Sequence, residues 1–594
     1  MLKECLEVFQ SELKEKGEEW LLSNYVPKDG TYILINLDDE YKVLDAVEIK
    51  TDKKTRKITG KTSIYYQLIS FIDYYSKLLE MNKPVDSAKI IHSNNFYSFF
   101  VKKESITQEK ITDTVVENYY SILSDPYKKY TKSQAKALYA QTENEVGPIN
   151  TTLIKRIKNW VLTSMSDMLT ENKIDLTRKE YLKIFFVYQD EQKTRELVRA
   201  EGTRYLLPNL FNKNDFNRVV GDSIYGLSND NMGMNDKKPF LDNKSRKVKV
   251  PYLINLEEAL IQSKFFDYLA GQAALAKYNI YIDFDEKKIK AYKNGEQVDP
   301  VESGMYLRIQ PGKVLEIHDV DYITGYQTNL KQMFLYKNVT NVLINENSPD
   351  YGAKTKLYEI ELLLDDVFFS KQLKYNYFTN PEDMMNKDGI LKNLILIYRE
   401  RMWNWFYKGK NKEFQSVLDK MALQIIFHTL NNTYFIKAQH QLNLWVSLVD
   451  YFNQNQRMEE QMENVRQALS EHIDEKDEWT FNSASEYYFA VGQMLDIFLH
   501  KSNAGKKSLS IVNPILNAKN DKLIKERIIN LFKKYNYSFE QKDFRVRNLL
   551  GHIMEYEPEG EVEQRWVIAG FTMNSVLYKA KEKKELIKEV SENE

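Results

Sequence analysis

At 594 residues the chain is too long for one ordinary core, and its 43% hydrophobic and 28% charged residues are those of a folded globular protein of about two to four domains. A single cysteine, Cys5, excludes an intrachain disulfide and a thiolate zinc site. No apolar run of about 18 residues predicts a membrane span, and Met1-Leu2-Lys3-Glu4-Cys5 opens without a basic-then-apolar signal pattern, so a reduced cytoplasm is the expected setting.

Residues 1–25 show helical spacing, with Leu6, Phe9, Leu13 and Leu21 on one face. Strands are expected at 32–36 and 42–50, joined by the acidic turn Leu37-Asp38-Asp39-Glu40, and a helix over 65–80. Helical patterns then dominate to about residue 220. The stretch 221–250 is rich in Gly, Asn, Asp and Lys and reads as a long loop, a feature usually functional in a compact domain. A short helix and four half-buried strands follow, at 280–284, 289–292, 306–309 and 314–317, with Asn294-Gly295 and Pro311-Gly312 as turn signals. From about 356 onward the pattern is helical. Ser483-Ala484-Ser485-Glu486 predicts a capped start for a helix over 487–500. The expected fold class is α+β: a mixed N-terminal region (1–220), a loop and β-rich region (221–355), a helical connector (356–455) and an all-α C-terminal bundle (456–594).

The net charge of −1, from 84 basic and 85 acidic residues, argues against a free-standing nucleic-acid binder unless the cations are segregated. They are. Residues 501–550 carry 12 Lys or Arg against 4 acids, whereas 456–480 carry 8 acids against 3 bases. In the block, Ile524, Ile528, Leu531 and Tyr535 form an apolar stripe on a helix over 519–535, with Lys522, Lys525 and Lys533 largely off it. Lys506, Lys507, Lys519, Lys534, Arg545 and Arg547 complete the candidate phosphate-contact set, since a row of cations gives salt-dependent, sequence-blind affinity for nucleic acid. A solvated helix face is the plainer alternative.

The loop 232–249 carries six bases against two acids. Its Gly233 permits close backbone approach, Asn235 and Asn243 offer donors and acceptors to base edges, and Lys237, Lys238, Lys244, Arg246, Lys247 and Lys249 suit phosphates. A flexible surface loop is the other reading. His92-Ser93-Asn94-Asn95-Phe96-Tyr97 mixes amides and rings as nucleic-acid sites do, although a polar turn before a strand explains it more simply. Pro126-Tyr127-Lys128-Lys129-Tyr130-Thr131-Lys132 interleaves bases with aromatics, and Lys128 and Lys129 are its candidate contacts. The 40 Tyr and 29 Phe are an excess expected mostly to fill cores and interfaces, with a few as candidate base-stacking platforms.

Catalytic readings are few. Asp38 or Asp39 with Glu48-Ile49-Lys50 on a hairpin imitates a metal-dependent nuclease core. His318-Asp319 imitates a metal phosphohydrolase dyad but lacks further ligands in a chain of seven histidines. No phosphate-cradling Gly-x-x-x-x-Gly-Lys-Ser/Thr loop occurs, and Cys5 is a poor nucleophile candidate. The expectation is a non-catalytic protein without cofactor or metal, the nuclease and a protein-only scaffold standing as alternatives.

Several fragments, in order, resemble one family. They are Tyr74-Tyr75-Ser76-Lys77 with Met81-Asn82-Lys83-Pro84, Lys89-Ile90-Ile91-His92-Ser93-Asn94-Asn95, Met232-Gly233-Met234-Asn235 with Lys237-Lys238-Pro239-Phe240-Leu241, and Val250-Pro251-Tyr252-Leu253. Val491-Gly492-Gln493, Asn513-Pro514, Lys534-Tyr535, Tyr556-Glu557-Pro558 and Ala569-Gly570-Phe571 follow. Together they resemble the large subunit of the type I-B CRISPR effector complex, Cascade. The resemblance implies a subunit at the crRNA 5′-handle end that inspects the protospacer-adjacent motif (PAM) in duplex DNA and aids R-loop formation. Backbone, handle-binding and small subunits would be its partners, and a recruited helicase-nuclease would do the cutting. It further implies a C-terminal bundle like the small subunits, PAM-side readers at Asn235 and Asn243, and clamps at the six loop cations. Met458 or Met462 would then be an internal translation start; Met458 to Glu594 is a product of 137 residues, small-subunit size. Ordinary helix methionines are the alternative.

Overall fold

The structure, a computed structural model, describes residues 2–52, 55, 57–77, 83–212, 214–228, 253–312, 315–453, 457–475, 478–501, 509–539 and 544–577. The chain is α+β, with 53% helix and 17% strand; among the described residues the last strand ends at Lys356 and the elements after it are helices. It divides into two compact units, residues 1–294 with 302–322, and 295–301 with 323–594.

The first unit is organised by a five-stranded sheet of β1 (Gly30–Asn36), β2 (Val43–Thr51), β3 (Ile58–Thr59), β4 (Ser98–Lys102) and β5 (Tyr181–Val187), in the order β3-β2-β1-β5-β4. The central strand β1 is buried at every residue, as its nearly continuous apolar run requires. It pairs antiparallel with β2 and parallel with β5, which lies far along the chain. The helices Tyr66–Ser76 and Glu191–Asn209 pack together in this unit, and Gly202 permits the contact: a Cβ there would stand 2.5 Å from the Tyr75 carbonyl oxygen.

A small sheet of β6 (Arg218–Val220), β7 (Ser223–Gly226) and β8 (Ile254–Asn255) follows. Next comes the helix Leu256–Ala274, opened by a reciprocal capping box between Asn255 and Glu258. A four-stranded sheet, ordered β10-β9-β11-β12, contains β9 (Asn279–Asp283), β10 (Lys288–Tyr292), β11 (Val301–Pro311) and β12 (Leu315–Tyr326).

The second unit has one two-stranded sheet, β13 (Asn329–Tyr336) with β14 (Gly352–Lys356), and is otherwise helical. Its C-terminal part is built around the helix Ala484–Lys501, buried almost along its whole length. This helix packs against Met458–Asp474, Asp521–Tyr535, Phe544–Glu555 and Gln564–Thr572. At its start Ser483 Oγ accepts the Glu486 N–H, while the Glu486 carboxylate turns to the Asn482 N–H and to His472.

Several expectations change. The N-terminal helix is two, Leu2–Lys16 and Glu18–Ser23, broken at Gly17 with φ 73°. The region expected to be helical up to about 220 contains β4 and β5. These are short apolar runs buried throughout except at their ends, whose periodicity cannot distinguish strand from helix. The helix before β9 is 19 residues long rather than short, and β13 and β14 lie beyond the last expected strand. The boundary between units falls inside the expected β-rich region. The expected connector and C-terminal bundle share one unit, because the helix Phe435–Phe452 packs against Leu418–Asn431 as well as Met458–Asp474 and Gln564–Thr572.

Candidate nucleic-acid interface

The helix Asp521–Tyr535 begins where the Asn520 side chain accepts the Leu523 N–H at 2.9 Å. It buries Ile524, Ile528 and Tyr535, with Leu531 half-buried between them. Lys522 and Lys533 are separated by about three helical turns, so they project from the same side, opposite that stripe and about 16 Å apart. Lys519, Lys522, Lys533, Lys534 and Arg547 are exposed, and none of them pairs with an acid among the described residues. Glu526 is an exposed acid on the Lys522 side. Among the described residues these cations are therefore not committed to internal ion pairs.

Two expected members are occupied internally. Lys525 sits 3.1 Å from Asp521 and donates to the Tyr556 carbonyl, tying its helix to the chain after Phe544–Glu555. Arg545 is paired with Asp474 and leans on the Leu577 carbonyl at 3.5 Å. Lys506 and Lys507 lie outside the described residues. The sequence reading missed Tyr537 and Phe544, whose rings stand in solvent within the same block. The excess of aromatics was its only signal, and composition does not tell which rings turn outward.

The N-terminal candidates separate in the same way. His92, Asn94 and Asn95 are buried. Asn95 donates to the Val198 carbonyl and accepts the Tyr97 N–H, Asn94 donates to the Lys77 carbonyl, and the His92 ring lies edge-on to Tyr181. Burial and the neighbouring Lys102 depress the His92 pKa. Together with Ser93, which is bonded to the Tyr119 hydroxyl at 2.8 Å, these residues fasten a turn ahead of β4. The expected contact set loses them because their polar atoms face the interior. Lys129 is part-buried and donates to the Lys83 and Pro84 carbonyls; burial and the Lys83 charge lower its pKa to about 8. Lys128 is exposed, with its ammonium 2.8 Å from Ser121 Oγ.

The nuclease constellation does not assemble. Asp38 and Asp39 lie in the turn at one end of the β1–β2 hairpin, whereas Glu48 is opposite Thr31, about 20 Å away along the strands. Glu48 accepts the Thr31 hydroxyl and lies 3.8 Å from the buried Lys103 ammonium; Lys50 lies 3.8 Å from Glu180. The Asp38 carboxylate accepts the Gln189 N–H. His318 pairs with Glu316 on β12. Among the described residues no group of three His, Cys, Asp or Glu converges as metal ligands do, and no helix is long and apolar enough to cross a membrane.

Asn235, Lys237, Lys238, Asn243, Lys244, Arg246, Lys247 and Lys249 lie outside the described residues. Met458 and Met462 are buried on the helix Met458–Asp474, which begins at Met458 with that residue's N–H held by Asp450. No family model matches this chain, and no curated protein matches it.

Proposed function

We propose that this chain is the non-catalytic large subunit of a type I-B crRNA-guided surveillance complex, working in the cytoplasm. In this reading it binds the crRNA 5′-handle end, inspects the PAM through the 232–249 loop, supports R-loop formation and helps recruit the helicase-nuclease. The observation that carries nucleic-acid binding is the row of exposed cations opposite the buried stripe of Asp521–Tyr535, set in a protein of near-zero net charge. The ordered fragments that resemble the family narrow the machine. Some of them also have a physical place: Lys89 to Asn95 includes the internally bonded turn before β4, and Val491-Gly492-Gln493 meets Ala569-Gly570-Phe571 in one helix crossing.

A C-terminal product starting at Met458 would keep the whole helix Met458–Asp474 with Ala484–Lys501 and Phe544–Glu555, on which it packs, but would lose the packing of Phe435–Phe452 and the Asp450 contact to Met458. The test is purification of the complex through a C-terminal tag. Sequencing of the bound RNA should return guides with a common repeat-derived 5′ handle, and mass spectrometry should return a short C-terminal species. RNA without such a handle sinks the assignment to this machine, and absence of the short species sinks the internal start. Replacing Lys237, Lys238, Arg246 and Lys247 with Ala should weaken duplex binding by the loaded complex; unchanged binding sinks the loop assignment.

A further inference from the structure

Two rings in the C-terminal basic block stand largely in solvent. Tyr537 is 70% exposed and Phe544 55%, while Tyr535 and Phe539 beside them are 4% and 5%. Tyr537 belongs to the single 3-10 turn Asn536–Ser538 that continues the helix Asp521–Tyr535, so it follows Lys533 and Lys534 by about one turn. The turn is fastened from beneath. Phe539 is packed on Phe498 and Phe532 with centroids 6.2 and 5.5 Å apart, the Ser538 hydroxyl donates to the Tyr535 carbonyl at 2.7 Å, and Lys501 donates to the Ser538 carbonyl at 3.1 Å. A fixed backbone thus holds the Tyr537 ring outward beside two exposed ammonium groups. Phe544 opens the helix Phe544–Glu555, and Arg547 follows it by one turn on the exposed side.

We propose that these exposed groups bind single-stranded nucleic acid, Tyr537 serving as a base-stacking platform with Lys533 and Lys534 holding the adjoining phosphates, and Phe544 with Arg547 serving as a second such pair. The inference rests on the reading of the bundle as a nucleic-acid face and adds the strand state and the stacking residues. In a duplex the base faces are covered by their neighbours and only edges and backbone are offered. An unpaired strand offers both an anion and a π-face, the two chemistries this surface presents side by side. A protein partner fits the charge less well, because lysines are depleted at the centres of protein interfaces.

The experiment uses the full chain with a 20-nucleotide oligo-dT and a duplex of equal length, over a series of salt concentrations. Tyr537→Ala should weaken oligo-dT binding roughly tenfold and leave duplex binding unchanged, while Tyr537→Phe, which keeps the ring, should bind as the parent does. The emission added by Tyr537→Trp should be quenched by oligo-dT and not by the duplex. The pair Lys533→Ala and Lys534→Ala should weaken both ligands and flatten the single-strand log–log salt slope by about 1.4. If Tyr537→Ala and Phe544→Ala bind oligo-dT as the parent does while the lysine pair is weakened, stacking is overturned and the phosphate face stands. If the lysine pair is also unchanged, the nucleic-acid reading of the bundle falls with it, and a protein partner takes its place.

Discussion

Gly492 and Gly570 face each other where the helices Ala484–Lys501 and Gln564–Thr572 cross. A Cβ on Gly492 would stand 2.2 Å from the Val567 carbonyl oxygen, and one on Gly570 would stand 2.0 Å from that of Phe489. The crossing is locked by Gln493, whose amide donates to the Gly570 carbonyl and accepts the Val576 N–H at 2.8 Å. Two sequence fragments 77 residues apart are thus one joint.

Gly492→Ala or Gly570→Ala should therefore force the helices apart and cost about 1–3 kcal/mol, read as a lower urea midpoint. Gly551, in the middle of Phe544–Glu555, is the control: nothing lies within 4 Å of its added Cβ. There Gly551→Ala should be neutral or stabilise by about 0.5–1 kcal/mol, since alanine loses less chain entropy in a helix.

Neighbouring lysines on Asp521–Tyr535 should behave differently. Lys522→Ala with Lys533→Ala should leave the melting temperature unchanged and weaken single-strand binding with a shallower salt slope. Lys525→Ala should chiefly lower stability, by about 1 kcal/mol, because it removes the donor to the Tyr556 carbonyl and the partner of Asp521. Thermal melts and binding isotherms on the same preparations separate the two.

Beneath the five-stranded sheet, Lys183 and Asp73 form a fully buried ion pair, with the Tyr25 hydroxyl donating to the same carboxylate at 2.9 Å. Lys183→Met should be strongly destabilising, about 3–5 kcal/mol, because the buried Asp73 carboxyl loses its ion-pair partner. Adding Asp73→Asn should recover much of that loss, the amide oxygen still accepting from Tyr25. A double-mutant cycle in urea reads the coupling; a fully additive result would mean that the pair does not form.

Glu361 is buried between the Tyr377 and Tyr407 hydroxyls, and burial raises its pKa to about 7 from a usual 4.5. The folded state then holds a proton that the unfolded state has released between those two values. Stability from this group is complete below about pH 4.5 and is lost as pH rises through about 7, a change on the order of 3 kcal/mol. Glu361→Gln should flatten the pH dependence of the urea midpoint across that window; an unchanged slope would place its source elsewhere.

Local pattern was enough to read much of this protein. The apolar stripe of Asp521–Tyr535 repeats at helical spacing, and the alternation around residues 280–317 predicts strands, although β9 turns out to be buried on both faces and only the start of β12 alternates in exposure. The segregation of cations into 501–550 needs only the order of residues. Tertiary structure alone decided three other matters. The parallel pairing of β1 with β5 joins segments about 150 residues apart, and a uniformly buried run carries no periodicity to announce its partner. His92, Asn94 and Asn95 have the composition of a binding turn, yet the fold buries them, and the Asn94 and Asn95 amide N–H groups donate to the Lys77 and Val198 carbonyls. Lys525 and Arg545 are indistinguishable in sequence from Lys522 and Arg547, and only the long-range placing of Tyr556 and Asp474 withdraws them from the surface. A charge is written locally, whereas what it holds depends on which distant groups the fold brings within a few ångströms.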